Sequence, residues 1–174
     1  MLDRMDEVAI RPETAGDVEA VLDVFEAVGA EARWIGTEVP FDRTAKADGI
    51  RASLGRPETC GAFVAEVGAQ EVDAAVIGFI GLELMPYGVV DFGMALLDGH
   101  RSQGIGLRLM EAGIGWARKS GAHKMSLQVW PSNQRAIGLY TKVGFTEEGR
   151  LRQHYRRQSG ELWDAVIMGL IFSE

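Results

Sequence analysis

Apolar positions along the chain recur with two periods, and the switches between them mark out the elements. Val8–Arg11 reads as a first short strand. Val18, Val21, Leu22, Phe25 and Val28 then recur at intervals of three and four, which gives a helix to about Val28 with one buried face. Thr14, followed by Asp17, supplies its start, with acidic charge where the helix dipole favours it. A loop through Trp34–Phe41 and a short helix over about Asp42–Leu54 come next. Ala62–Val67 and Ala74–Leu84 are rich in Val, Ile and Phe, and a turn over Gly68–Asp73 makes them an antiparallel pair. Pro86, Tyr87 and Gly88 turn the chain into a strand over Val89–Leu97 that stops at Asp98-Gly99. A helix from about Gly104 to Lys119 puts Ile105, Leu109, Ala112 and Trp116 on one side, and Gly121 ends it. Lys124–Trp130 is a strand, Ser132 or Asn133 caps a helix reaching Val143, and Gly144 closes that helix. Phe145 and Glu161–Phe172 lie on two last strands that form a closing hairpin. This order predicts an α/β fold, a mixed and mostly antiparallel sheet with helices on both faces. With no repeat, low-complexity tract or linker to divide it, residues 1–174 are expected to form a single domain.

Composition narrows the function classes. Apolar residues make up 47% and charged residues 25% of 174 positions, which is ordinary for a globular chain able to bury one core. A net charge of -7 argues against sequence-independent binding of nucleic acid, because such binding needs cations to neutralise phosphates. Cys60 is the one cysteine, so no disulfide framework or thiolate-rich zinc site can form, and a reducing, cytoplasmic setting is expected. His100, His123 and His154 show no paired ligand spacing, so no metal is expected. Met1–Ile10 carries Asp3, Asp6 and Glu7 and has no apolar run of a secretory signal. The apolar stretch Ala74–Met85 contains Glu83 and falls short of the roughly 20 residues that span a bilayer, so it reads as a buried strand and no membrane partner is expected.

The chemistry concentrates in Asp98–Gly106, DGHRSQGIG, between a strand and a helix. Glycines there let backbone approach a ligand closely, and the helix start offers unpaired N–H groups and positive dipole to a phosphate. Dinucleotide binding is disfavoured: the loop lacks the third glycine of that fingerprint, and no acidic residue ends the next strand near Trp130. A P-loop is disfavoured because no Gly-Lys-Ser or Gly-Lys-Thr follows.

Arg101-Ser102-Gln103-Gly104-Ile105-Gly106 resembles the Arg/Gln-x-x-Gly-x-Gly/Ala signature of the GNAT N-acetyltransferases. Asn133 to Phe145, NQRAIGLYTKVGF, resembles that family's Asn-x-x-Ala-x-x-Leu-Tyr-x-x-x-Gly-Phe element, and Gly160–Asp164 with Met168 is similar to the closing hairpin of its ribosomal-protein and small-amine branch. The likeness is good over about 60–172 and loose before it. It implies the acyl-CoA N-acyltransferase fold, in which the strand before the loop bulges and splays from its neighbour to admit pantetheine. It further implies acetyl-CoA as cosubstrate, a small-molecule primary amine as acceptor, such as an amino acid or an amine-bearing antibiotic, and a homodimer. A protein N-terminus as acceptor, and a coenzyme-binding module without catalysis, remain the alternatives.

Carried over position by position, the resemblance places Met94 and Leu96 against pantetheine and the thioester, with the Leu96 N–H near the acetyl carbonyl oxygen. Ser102, Gln103, Gly104, Ile105, Gly106 and Leu107 would wrap the pyrophosphate through backbone N–H groups, with charge added by Arg101 or Arg108. Asn133 would bond the pantetheine arm, although a helix N-cap role is equally open. Tyr140 matches the tyrosine that protonates the departing thiolate, and it also fits a core position. Where ribosomal-protein alanine acetyltransferases carry a glutamate base, this chain has Gln128, which cannot take a proton. Asp91, then Glu83 or Glu38, are the candidate replacements, acting directly or through water. His154-Tyr155-Arg156-Arg157 reads as a solvated strand end, with contact to substrate or coenzyme phosphate as the alternative.

Overall fold

Neighbouring residues along a strand point to opposite faces, and that alternation divides the core of this protein in two. The computed structural model describes residues 8–68 and 74–172. Strands β1 (Val8–Pro12), β2 (Cys60–Val67), β3 (Ala75–Met85), β4 (Val89–Leu96), β5 (Lys124–Val129), β6 (Thr146–Arg156) and β7 (Leu162–Ile171) form one sheet in the order β1-β2-β3-β4-β5-β7-β6. All neighbours are antiparallel except β4 and β5. On one face Val64, Phe79 and Ala95 pack against Val21, Val24 and Val28 of α1 (Val18–Ala30), with α2 (Arg43–Leu54) behind it through Val18, Leu22 and Ala47. On the other face Ala65, Ile80 and Val90 pack against Ile105, Leu109 and Met110 of α3 (Ile105–Lys119). Gly113 is what lets α3 sit so close, since a Cβ there would lie 2.8 Å from Ile80 Cδ1. The α/β architecture with helices on both faces is therefore as expected from the pattern.

The last helix, α4 (Gln134–Lys142), shares the α3 face. There Phe92, Tyr140 and Phe145 form an aromatic triangle, each pair of ring centroids 5.8 Å apart. Phe145 is 1% exposed and fixes α4 against β4. Phe145→Ala is expected to cost about 3–5 kcal/mol, read as a lower midpoint in chemical denaturation; a change within experimental error would show the triangle to be replaceable.

Two expectations need correcting here. The strand expected at Phe145 lies instead over the polar stretch Thr146–Arg156, an eleven-residue strand, β6, at the sheet edge and paired with β7 alone. Its charge fits an edge position, where apolar side chains would invite another strand, and the same charge hides it from hydrophobic pattern. The bulge that family resemblance implies for β4 is also absent: β4 keeps continuous register with β3 from Val89 to Leu96. The turn expected over Gly68–Asp73, Gly68 apart, and Met1–Glu7 lie outside the described residues. Among the described residues no helix is long and apolar enough to cross a membrane.

Candidate functional site

The site begins where two parallel strands part. β4 pairs with β5 only at Val89, Val90 and Asp91, opposite Lys124, Met125 and Ser126. Beyond Ser126, β5 stays with β7, pairing Leu127, Gln128 and Val129 with Met168, Ile167 and Val166, and so leaves β4 behind. The direction of the freed backbone follows from the ladder to β3. Leu97 N–H donates to Ile77 O at 2.9 Å, so the N–H and C=O groups one and three residues earlier, of Leu96 and Met94, point the other way into the opening.

A cleft of about 790 Å³ occupies this opening. Met94, Leu96, Arg101, Ser102, Gly104, Gly106, Leu107, Asn133 and Tyr140 all line it, which brings together nine of the residues singled out in the sequence. Ile105 is instead a core residue at 3% exposure, Gln103 turns its side chain to Gly99 O at 2.9 Å, and Asp91 lines a different cavity.

The loop ahead of α3 supplies a row of free donors. Ser102 has φ 61° and Gly104 has φ 78°, both left-handed, which turns the chain sharply into the helix. The first helical bond runs from Arg108 N–H to Gly104 O, 3.2 Å. Among the described residues no acceptor meets the backbone N–H groups of Ser102 through Leu107, and no side chain caps the helix. Such a helix start is chemically suited to an anion.

Arg101 does not add free charge there. Its Nε donates to Leu96 O at 2.8 Å, its Nη1 to Glu31 Oε2 at 2.8 Å and Asp98 Oδ1 at 3.1 Å, and its Nη2 pairs with Glu31. Arg101 therefore fixes the loop to the end of α1, and its guanidinium holds Glu31 below the usual carboxylate range. Trp34 stacks beside it, with the Arg33, Arg101 and Arg135 guanidinium carbons 4.0, 5.5 and 5.7 Å from its ring centre.

Tyr140 is 7% exposed, and burial pushes its phenol above the ordinary value, so it stays protonated throughout the working pH range. Asn133 caps α4, its side-chain oxygen accepting from Ala136 N–H at 3.2 Å, while Nδ2 donates to Trp34 O at 3.4 Å. Of the candidate bases, Glu38 is committed: it accepts from Gln158 N–H at 3.1 Å and lies 3.3 Å from Arg157 Nε. Gln128 accepts from Tyr155 Oη at 2.6 Å on the rim. Asp91 is held above the usual carboxylate range by partial burial first and by Glu83, its cross-strand partner, second.

The strand-end reading of Arg157 is overturned. Arg157 is 6% exposed, its guanidinium carbon 4.5 Å from the Trp163 ring centre and 5.3 Å from that of Trp130. Its Nη1 donates to Gly36 O at 3.3 Å, so it ties the α1–α2 loop to the β6–β7 hairpin.

The family model described as the acetyltransferase (GNAT) family matches residues 19–145. The L-methionine sulfoximine/L-methionine sulfone acetyltransferase of Pseudomonas aeruginosa is 29% identical over 170 residues, 93% of each chain. The ribosomal protein bS18-alanine N-acetyltransferase of Escherichia coli is 37% identical over 82 residues, which cover 47% of this chain and 55% of that protein. A Salmonella typhimurium protein solved with its cofactor acetyl-CoA superposes with a TM-score of 0.81 at 20% identity, covering 96% of this chain and 95% of that one.

Proposed function

Since this chain belongs to the acetyltransferase (GNAT) family, whose model matches residues 19–145, we propose that it moves an acetyl group from acetyl-CoA to the primary amine of a small molecule by direct attack in a ternary complex. The observation that carries this reading is the parting of β4 from β5 beside a helix start whose amides, Ser102 to Leu107, are free. The pyrophosphate takes those amides, and the pantetheine arm lies along the β4 backbone at Met94 and Leu96. The amine nitrogen attacks the thioester carbonyl, the C–S bond breaks, and the product is an acetamide and a thiolate. Leu96 N–H faces the carbonyl oxygen and stabilises the charge that grows on it. Tyr140 gives its proton to the thiolate, and the second proton, shed by the attacking nitrogen as the amide forms, returns through water to the Tyr140 phenolate.

An ammonium has no lone pair, so the acceptor must first lose a proton. Asp91 is the base best supported: its raised pKa brings it nearer neutrality, and it lies two residues from Gly93, which lines the cleft. At about 3.4 Å per residue along a strand, that separation suits relay through one water better than direct contact. The relation to an enzyme named for L-methionine sulfoximine and sulfone supports a small acceptor, because it extends over 93% of the chain whereas the ribosomal-protein relation covers 47%. Gln128 in place of a glutamate points the same way. Calorimetry with acetyl-CoA and thiol release across a panel of amines test the proposal. Saturable coenzyme binding with amine-dependent thiol release is expected, and absence of coenzyme binding would overturn it.

A further inference from the structure

A second cavity, of about 530 Å³, lies between the α1–α2 layer and strands β2–β4, with Glu13, Lys46, Glu83 and Asp91 in its lining. Cross-strand register sets Ala62, Gly81 and Gly93 in one row across the sheet. Glu13 extends that row beyond β1, its N–H donating to Ala62 O at 2.9 Å. Phe79 and Ala95, two residues from the glycines on the same strands, pack against α1, so the row faces the α1–α2 layer. A Cβ at Gly81 or Gly93 would meet no heavy atom within 4 Å, so these residues floor an open trough. Both glycines also line the coenzyme cleft. The trough thus leads from the place where β4 leaves β5 to Glu13.

The far end is prepared for a donor. Glu13 Oε1 is buried with no partner among the described residues, and burial, then the nearby charge of Asp17, pushes its carboxyl up to about 7. Among the described residues none of the neighbouring cations is bonded to Glu13. Arg11 binds Asp17 and Glu66, and Arg56 pairs with Glu83 at 3.4 Å. Lys46 holds its ammonium 4.0 Å from the Phe25 ring centre and donates to Thr37 Oγ1 at 3.2 Å. With Glu83 paired to Arg56, Glu13 and Asp91 remain in the cavity lining against the one ammonium of Lys46.

We propose that this trough is the acceptor subsite and that it selects a primary amine bearing a second cationic nitrogen at the far end of an extended, mostly apolar linker. The inference rests on the acetyl-transfer reading above. The reacting nitrogen lies at the Gly93 end, the linker crosses Gly81 and Ala62 beneath Phe25, and the distal ammonium meets Glu13. Backbone to backbone, β4 and Glu13 are three strand spacings apart, about 14 Å, which sets the length of acceptor that reaches both ends. A monoamine leaves the Glu13 oxygen unmatched, and an amino acid would bring its carboxylate towards Glu83 and Asp91.

The test compares α,ω-diamines with n-alkyl monoamines of matched length as acceptors, for the wild type, Glu13→Gln and Gly81→Val, with acetyl-CoA binding and thermal melting measured on each. The wild type is expected to favour diamines above a threshold linker length. Glu13→Gln is expected to lower the diamine-to-monoamine ratio of kcat/KM by about 10- to 100-fold, mainly through KM, the scale of a charge-assisted hydrogen bond lost. Gly81→Val, whose side chain enters the trough and not the packed core, is expected to shift preference towards short amines while the melting temperature holds. A ratio that is the same in the wild type and Glu13→Gln, or no diamine preference at all, overturns the inference and leaves acetyl transfer standing. Coenzyme binding with no turnover of any amine counts against acetyl transfer and removes the inference with it.

Discussion

Tyr140→Phe is expected to slow turnover by about 10- to 1,000-fold while leaving the acetyl-CoA dissociation constant nearly unchanged, as loss of a general acid should. The aromatic triangle with Phe92 and Phe145 keeps its ring, so the change removes a proton and little packing. Burial raises the Tyr140 pKa, and a thiolate whose conjugate acid has a pKa of about 8.5 is the weaker base of the pair, so proton return runs uphill. That places the effect towards the lower part of the range. The same burial keeps Tyr140 from titrating below pH 10, so the pH–rate profile of the variant should fall in height and keep its shape. Single-turnover kinetics would locate the loss in the chemical step, and an unaltered rate there would remove Tyr140 from proton transfer.

Gly104→Val is expected to raise the acetyl-CoA dissociation constant by about 10- to 100-fold, because a β-branched residue held at φ 78° is strained by roughly 1–3 kcal/mol. The chain can relieve that strain by rotating the loop, which disperses the amides of Ser102 to Leu107. Gly106→Ala is the matched control. A Cβ at Gly106 would meet Leu139 Cδ2 at 3.3 Å and Met94 Cε at 3.6 Å, ends of side chains that can yield by a few tenths of an ångström. Calorimetry should therefore separate the two variants clearly. Equal affinities would mean that the turn geometry is not what collects the donors.

The residues whose roles depend on backbone were legible in the sequence, and those whose roles depend on long-range burial were not. Glycines at 104 and 106 between a strand and an apolar-faced helix announce an open helix start, and the spacing of Asn133, Tyr140 and Phe145 fixes the helix that lines the cleft from the other side. Burial of a charged side chain has no such local signature. Arg157 reads as solvated in a run of His, Tyr and Arg, and only the fold brings Trp130, Trp163 and Glu38 around it. Glu13 sits just past a short strand and looks like ordinary surface charge until register lines it up with Ala62, Gly81 and Gly93. Strand β6 is legible only as a strand at Phe145, and its extent over Thr146–Arg156 escapes because an edge strand rich in charge carries no period of two.

The guanidinium clasp at Arg157 joins backbone at Gly36 to the last hairpin, 121 residues later. The residues proposed to hold the coenzyme, by contrast, all fall between Met94 and Tyr140. A ribosome must therefore deliver almost the entire polypeptide before the α1–α2 loop can be clasped to that hairpin, although the proposed coenzyme segment is already complete in sequence.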